Sequence, residues 1–145
     1  MKKENKLKVK LKYLEKKSIE PEQLFSLHRS VRWTTNKNKQ KQKKIIYKEY
    51  KNSQIVVSAW NGKELVGVIR ALTERVKNGM IFGLVVKQKY RSLGVGTKLI
   101  KKCIKKYPKI RWYLRSENSK TDKFYKRRGF KKIKRGFIWI LDTKK

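Results

Sequence analysis

The pattern of apolar and polar positions along the chain predicts several strands. Lysine alternates with apolar residues from Lys6 to Leu14, a period of two that predicts a half-buried strand. Apolar blocks at Gln54–Trp60, Glu64–Leu72 and Met80–Val86 predict three more, and the last is unbroken enough to expect burial on both faces. Asn61-Gly62 and Asn78-Gly79 are predicted as the turns between them.

Helical spacing predicts four helices. Ser18, followed after two residues by Pro21, predicts the start of the first helix, which runs to about Val31. The second covers Lys39–Tyr50. The third, about Thr97–Lys106, is stopped by Pro108 and has one apolar stripe, formed by Leu99, Ile100, Cys103, Ile104 and Tyr107.

The remaining elements follow Pro108. Ile110–Leu114 predicts a short strand, and Ser119–Arg128 predicts a short helix ended by Gly129. Phe130–Ile133 and Phe137–Leu141 predict a last hairpin around Arg135-Gly136. The order β-α-α-β-β-β-α-β-α-β-β predicts a mixed α/β (α+β) fold, a single domain over residues 1–145 with about six to seven strands and about four helices.

Charge is the most unusual feature of the composition. Forty-three Lys and Arg against 10 Asp and Glu give a net charge of +33 in 145 residues. Two interpretations stay open: a solvated lysine surface, or attraction to a polyanion or an anionic cofactor. The single cysteine, Cys103, excludes an intrachain disulfide and is expected in the core. With no apolar block in Met1–Lys17 and no apolar run of about 20 residues, we expect a cytoplasmic protein without a membrane partner.

A candidate anion site lies between the strand Met80–Val86 and the third helix. Its sequence is Arg91-Ser92-Leu93-Gly94-Val95-Gly96. Glycines let the main chain approach a ligand closely, and the amides of a helix N-terminus attract anions. A tight strand-to-helix turn is the alternative. The segment lacks the lysine of a P-loop and the third glycine of a dinucleotide fingerprint.

Arg91–Gly96 fits the (Gln/Arg)-x-x-Gly-x-(Gly/Ala) loop of the GNAT superfamily of N-acetyltransferases. Downstream, Asn118, then Phe124-Tyr125, then Gly129-Phe130 resemble the family's Asn…(Phe/Leu)-Tyr-x-x-x-Gly-Phe segment. Ser30–Trp33 and Leu65–Ala71 also resemble members of this family. The chain is therefore identified as a member, with the acyl-CoA N-acyltransferase fold and its mostly antiparallel mixed sheet as the expected fold.

The resemblance implies acetyl-CoA as cosubstrate, no metal, and a primary amine as acceptor. It implies that Tyr125 is the general acid, that a main-chain N–H near Val85 or Val86 stabilises the tetrahedral oxyanion, and that Trp33 lines the acceptor cleft or else anchors the first helix. The residues expected to bind coenzyme A are Leu84, Val85, Val86, Arg91, Ser92, Leu93, Gly94, Val95, Gly96, Thr97, Asn118 and Phe124.

One departure concerns the general base. Many members carry an acidic residue on the strand that here is Met80–Val86, which has none. Glu74, a water chain, His28, or an amine whose pKa is lowered by nearby cations are the alternatives.

The acceptor itself is not specified by the sequence. A small-molecule or protein amine is the leading expectation, and an aminoacyl-tRNA is an alternative. Two further alternatives are a degenerate coenzyme A binder without activity and a nucleic-acid-binding module. Nucleic acid and a homodimer are thus candidate partners. The aromatics available for base stacking are Trp33, Tyr47, Tyr50, Trp60, Trp112 and Trp139.

Overall fold

A computed structural model describes residues 9–139, which divide into two compact units, 9–115 and 116–139. The first unit is built on a five-stranded sheet in the order β1-β2-β3-β4-β5, antiparallel except for the parallel pair β4–β5. Its elements, in chain order, are β1 (Lys12–Leu14), α1 (Pro21–Ser30), α2 (Lys39–Lys51), β2 (Ile55–Asn61), β3 (Glu64–Thr73), β4 (Asn78–Val86), a 3-10 helix (Gln88–Leu93), α3 (Val95–Lys105) and β5 (Arg111–Leu114).

Helices cover both faces of this sheet. Successive strand residues point to opposite faces, and on β3 Val68 packs into the core beneath α1 and α2 while Gly67 lies against α3. The core under α1 and α2 is formed by Ile19, Leu24, Phe25, Leu27, Ile46, Tyr50, Val56, Leu65, Val68 and Val85. The apolar stripe of α3 buries Leu99, Ile100 and Cys103 on the other face. Burial of these side chains is the main stabilising term of the unit.

The mixed α/β prediction is confirmed, with five strands instead of six to seven. The first strand is shorter than predicted, because β1 pairs with β2 only as far as Lys12 opposite Trp60. One residue further along, β2 ends at Asn61 and turns, so residues 9 and 10 have no β2 residue opposite them, and the pairing stops before Leu11. Lys6–8 of the predicted strand lie outside the described residues. The α1 N-cap is Glu20, not Ser18, and no side chain caps it.

Both predicted hairpin turns are shifted. Asn61 pairs with Glu64, so the first turn consists of Gly62 and Lys63. Asn78-Gly79 belongs to β4, and the turn before it covers residues 74–77, where the Glu74 carboxylate accepts N–H groups of Lys77 and Asn78. Gly79 is required for close packing, since a Cβ there would lie 2.3 Å from the Trp112 ring.

Strand β4 is not buried on both faces as predicted. Burial alternates along it, and Phe82 is 51% exposed. The register with β3 shifts between Arg70 and Ala71, which leaves Phe82 as an extra residue on β4. Such a bulge turns a side chain out of its regular place.

The second unit contains α4 (Ser119–Arg127). Gly129 has φ +95°, and the N–H groups of Gly129 and Phe130 donate to the carbonyls of Lys126 and Tyr125, which confirms the predicted glycine cap. The predicted hairpin is wrong within the described part: no strand forms in residues 130–139, and residues 140–141 lie outside it. The single-domain expectation stays a prediction.

Candidate functional site

Strand β4 has a partly unpaired edge. On one side it pairs with β3 from Gly79 to Val86, whereas on the other side β5 accompanies it only from Asn78 to Ile81. Within the described residues, no strand lies beside Phe82–Val86 on that second side. The second half of β4, residues 82–86, therefore presents a free edge, although β4 lies between β3 and β5 in the sheet.

The main-chain groups on this free edge follow from the register. Lys87 donates its N–H to the Val66 carbonyl at 2.9 Å, so its main chain faces β3. Because main-chain groups alternate along an antiparallel strand, those of Val86 and Leu84 face away from β3, and those of Val85 face it. The Val86 carbonyl indeed accepts a hydrogen bond from Arg91 Nε at 3.1 Å. Two N–H donors, on Leu84 and Val86, thus point to the free edge.

The chain passes from this edge directly into a helix N-terminus. Gly94 connects the 3-10 helix to α3 in the left-handed region, with φ +74°, and a Cβ there would have no heavy atom within 4 Å. No side chain caps α3 and its first turn contains no acidic residue. The amides of Gly94, Val95 and Gly96 have no acceptor within the helix, and the helix dipole adds positive potential there. This is an open anion-binding geometry.

Close packing holds that helix terminus beside β4. A Cβ on Gly67 of β3 would lie 3.1 Å from Val95 and 3.2 Å from Leu99, so the missing side chain lets α3 approach the sheet. The Val86 bond to Arg91 ties the loop to the strand. The predicted coenzyme A residues of the first unit are thereby brought together along one continuous strand–turn–helix segment, formed by Leu84, Val85, Val86, Arg91, Ser92, Leu93, Gly94, Val95, Gly96 and Thr97.

A second group of side chains surrounds Gly83, and we call it the aromatic–arginine cluster: His28, Trp33, Tyr50, Arg70 and Phe82. A Cβ on Gly83 would lie 3.7 Å from Tyr50 Oη and 3.8 Å from both the Arg70 side chain and the Trp33 ring. The Arg70 guanidinium lies over the rings of Phe82 at 5.3 Å and Tyr50 at 5.8 Å. The cluster therefore lies where the free edge of β4 begins.

The end of α1 places Trp33 in the cluster. Arg32 adopts φ +62°, its N–H donates to Arg29, and the Trp33 N–H donates to the His28 carbonyl at 3.0 Å. This is a Schellman ending with an arginine at the left-handed position. The Trp33 ring is 44% exposed and packs edge-on against His28 at 5.6 Å. Trp33 thus both contacts α1 and presents an open face beside β4.

His28 is held neutral within the cluster. Its Nε2 lies 2.8 Å from Tyr50 Oη, and only 7% of the residue is exposed. Burial, together with the positive charge of Arg70, lowers the His28 pKa to about 4. Burial raises the pKa of Tyr50. A histidine with so low a pKa is a weak base at neutral pH.

Glu74 is occupied by its turn. Its carboxylate accepts main-chain N–H groups of Asn78 and Lys77, and these bonds lower its pKa. Cys103 is fully buried, and burial raises its pKa to about 12, as expected for a core thiol. Neither residue has the environment of a general base or nucleophile.

The other three predicted site residues belong to the second unit. Asn118 caps α4, because its Oδ1 accepts the Thr121 N–H at 3.0 Å. The Phe124 and Tyr125 rings pack edge-to-face at 5.3 Å, and Arg128 lies 3.8 Å over Phe124. Burial, followed by the negative charge of Glu117, raises the Tyr125 pKa. The phenol is therefore protonated at neutral pH, as a proton donor must be.

Sequence reasoning missed Arg70, Tyr50 and Phe82 as members of one site. Arg70 was a usable signal, since it is the only charged residue in the apolar stretch Leu65–Leu72. A charged side chain rarely becomes buried without a partner or a function. Tyr50 and Phe82 gave no signal beyond their apolar character.

Comparisons with known proteins agree with this geometry. The acetyltransferase (GNAT) family model matches residues 22–130, and the chain belongs to that family. Proteins of this family transfer an acyl group from acetyl-CoA. No protein with a curated description matches the chain in sequence.

Three solved structures illustrate the shared fold. A GNAT-family protein from Streptococcus pneumoniae is 22% identical with a TM-score of 0.78, over 91% of this chain and 98% of that one. An acetyltransferase from Trypanosoma brucei is 18% identical (TM-score 0.69; 91% and 100% covered). An aminoglycoside acetyltransferase from an uncultured soil metagenomic sample, in complex with sisomicin, is also 18% identical (TM-score 0.68; 91% and 97% covered).

Proposed function

We propose that this protein transfers the acetyl group of acetyl-CoA to a primary amine by direct attack of the amine on the thioester. The observation that carries the proposal is the free edge of β4 running into the uncapped N-terminus of α3. One segment can then hold an extended amide-bearing arm and, beyond it, a diphosphate. The nucleic-acid and homodimer expectations stay predictions.

The residues present fit coenzyme A. The outward N–H group of Val86 can pair with a pantetheine amide, with Val85 packing beneath. The open space at Gly94 and the lack of acidic residues in the first turn of α3 suit a diphosphate. Arg91 adds a cation beside the same loop. Two residues of the second unit, Asn118 and Phe124, are proposed to contact coenzyme A.

The main chain of β4, Tyr125 and water divide the proposed chemistry between them. The Leu84 N–H, the outward donor farther from the diphosphate loop, takes the role predicted for Val85 or Val86: it donates to the thioester carbonyl oxygen and stabilises the negative charge that develops on it. Tyr125, with its raised pKa, donates the proton that the departing thiolate needs. Since Glu74 is bound in its turn and His28 is a weak base, we assign removal of the amine proton to water.

Leu93 gives a test of the cofactor loop. It is 48% exposed, so Leu93→Glu places a carboxylate beside the proposed diphosphate with little cost to the core. We expect coenzyme A affinity, measured by calorimetry, to fall about tenfold or more, and less at high salt. Leu93→Gln is the matched uncharged control. Equal affinity of the Glu and Gln variants would show that the diphosphate lies elsewhere.

Tyr125→Phe tests the proton donor. Thiol release with acetyl-CoA and an amine should fall by about 10²-fold or more in kcat, while coenzyme A affinity stays near that of the wild type. Tyr107→Phe, two residues after the end of α3 in the first unit, is the control. Unchanged turnover in Tyr125→Phe would remove this role.

A further inference from the structure

We propose that Arg70, with Trp33 and Phe82, forms an acceptor subsite that recognises a carboxylate or phosphate group on the same molecule as the reacting amine. This inference rests on the proposed function and adds a substrate class to it. Three observations carry it: the poor pairing of a largely buried guanidinium, its position on β4, and the charges around it.

The guanidinium of Arg70 is not closely paired. Its side chain is only 16% exposed, yet its polar contacts are Glu49 at 3.9 Å and Ser53 Oγ at 3.5 Å, both at the outer limit for an interaction. A well-formed ion pair places nitrogen and oxygen about 2.7–2.9 Å apart. Within the part of the chain that the structure describes, Arg70 therefore retains N–H donors that a planar or tetrahedral oxyanion could satisfy.

Its position suits an acceptor molecule. Arg70 pairs with Gly83, the second residue beyond the last β5 pair at Ile81. Leu84, which is proposed to hold the thioester, lies one residue further on, roughly 3 Å along the strand. A short molecule anchored at Arg70 would therefore present its amine to the thioester.

Aromatic rings form the walls of this subsite. Trp33 and Phe82 are 44% and 51% exposed, and Gly83 between them leaves room at the strand surface. The rings cover the carbon chain of an acceptor, and Arg70 supplies its charge recognition. Glycine at this position matters because a side chain would fill the space between Trp33, Tyr50 and Arg70.

The charges oppose a polycationic acceptor. The cluster's histidine is neutral, and its nearest carboxylate, Glu49, already faces Arg70. Of the eight carboxylate side chains within residues 9–139, five lie within 4 Å of a lysine or arginine nitrogen. The net charge of +33 attracts anions and repels aminoglycoside-like amines.

The experiment measures kcat/KM for matched primary amines with the full chain and acetyl-CoA. Each ω-amino carboxylate is compared with its neutral amide, its phosphate-bearing counterpart and a diamine of the same length. An aminoglycoside is included. We expect at least tenfold preference for one or both anionic forms over the amide, and the phosphate arm shows which oxyanion is favoured. Equal turnover of acid and amide, or preference for diamines, would overturn the inference.

Variants assign the preference to Arg70. Arg70→Met should reduce it at least tenfold, mainly through KM, whereas Glu49→Gln should lower KM for the anionic amines because it removes a competing carboxylate. Arg111→Met, at the opposite end of the β4–β5 pair, is the matched control. An anion preference that survives in Arg70→Met, or a Glu49→Gln variant with unchanged KM, would contradict the role of Arg70.

A binding measurement separates this inference from the proposed function. Calorimetric titration of the same amines into the protein with coenzyme A tests the subsite even when no amine is turned over. If coenzyme A does not bind, the proposed function fails. If coenzyme A binds but the anionic amines do not, the proposed function stands and the subsite is refuted.

Discussion

The neutral, buried His28 predicts a specific loss of stability in mild acid. Its pKa falls from 6.5 in the unfolded chain to about 4 in the folded protein, because burial and Arg70 disfavour the imidazolium. The folded pKa is depressed, so the unfolded state takes up the proton first as the pH drops. The contribution of His28 to the free energy of unfolding is therefore complete above pH 6.5 and declines as the pH falls towards 4.

The size of the effect follows from the two pKa values. Since one pKa unit corresponds to about 1.4 kcal/mol, the full shift is worth about 3 kcal/mol, of which about 2 kcal/mol is lost between pH 7 and pH 5. For a chain of this length that is a drop of roughly 5–10 °C in Tm. Carboxylates with lowered pKa values, such as Glu22, Glu64 and Asp122, titrate mostly below this window.

Urea unfolding at pH 7, 6 and 5 measures the slope, and His28→Gln is the control because it removes the only histidine of the chain. The wild type should lose about 2 kcal/mol more than the variant between pH 7 and pH 5. The single histidine Cε1–H NMR signal should titrate with a midpoint near 4. Equal slopes for the two proteins, or a native midpoint near 6.5, would refute the buried, neutral state.

Three further predictions concern single positions. Arg32→Gly should raise the free energy of unfolding by roughly 0.5–1 kcal/mol, since φ is +62° there; a lower Tm would contradict the Schellman ending. Gly79→Ala should cost about 1–3 kcal/mol in urea unfolding, because the new Cβ meets the Trp112 ring; an unchanged midpoint would refute that packing. Cys103, buried and with a pKa of about 12, should resist iodoacetamide in the native protein and react once urea unfolds it; rapid native labelling would contradict its burial.

Local sequence signals located the helices well. α1, α3 and α4 lie within two residues of their predicted bounds, because helical spacing, Pro108 and Gly129 act within one or two turns. Strand predictions failed where a partner decides pairing. Residues 9–11 alternate as a strand should, yet the pairing with β2 stops at Lys12, and β2 ends before it reaches residues 9 and 10. Asn78-Gly79 looked like a turn, but its glycine serves the contact with Trp112.

The sequence by itself located the proposed anion-binding loop, because the left-handed turn at Gly94 and the amides after it depend on main-chain geometry that neighbouring residues specify. It also identified the family, through motifs in the correct order. Only the tertiary structure decided which β4 groups face the free edge and which side chains meet at Gly83. Those depend on strand register, the bulge at Phe82 and the packing of α1 and α2, which bring together His28, Tyr50 and Arg70 from separate elements.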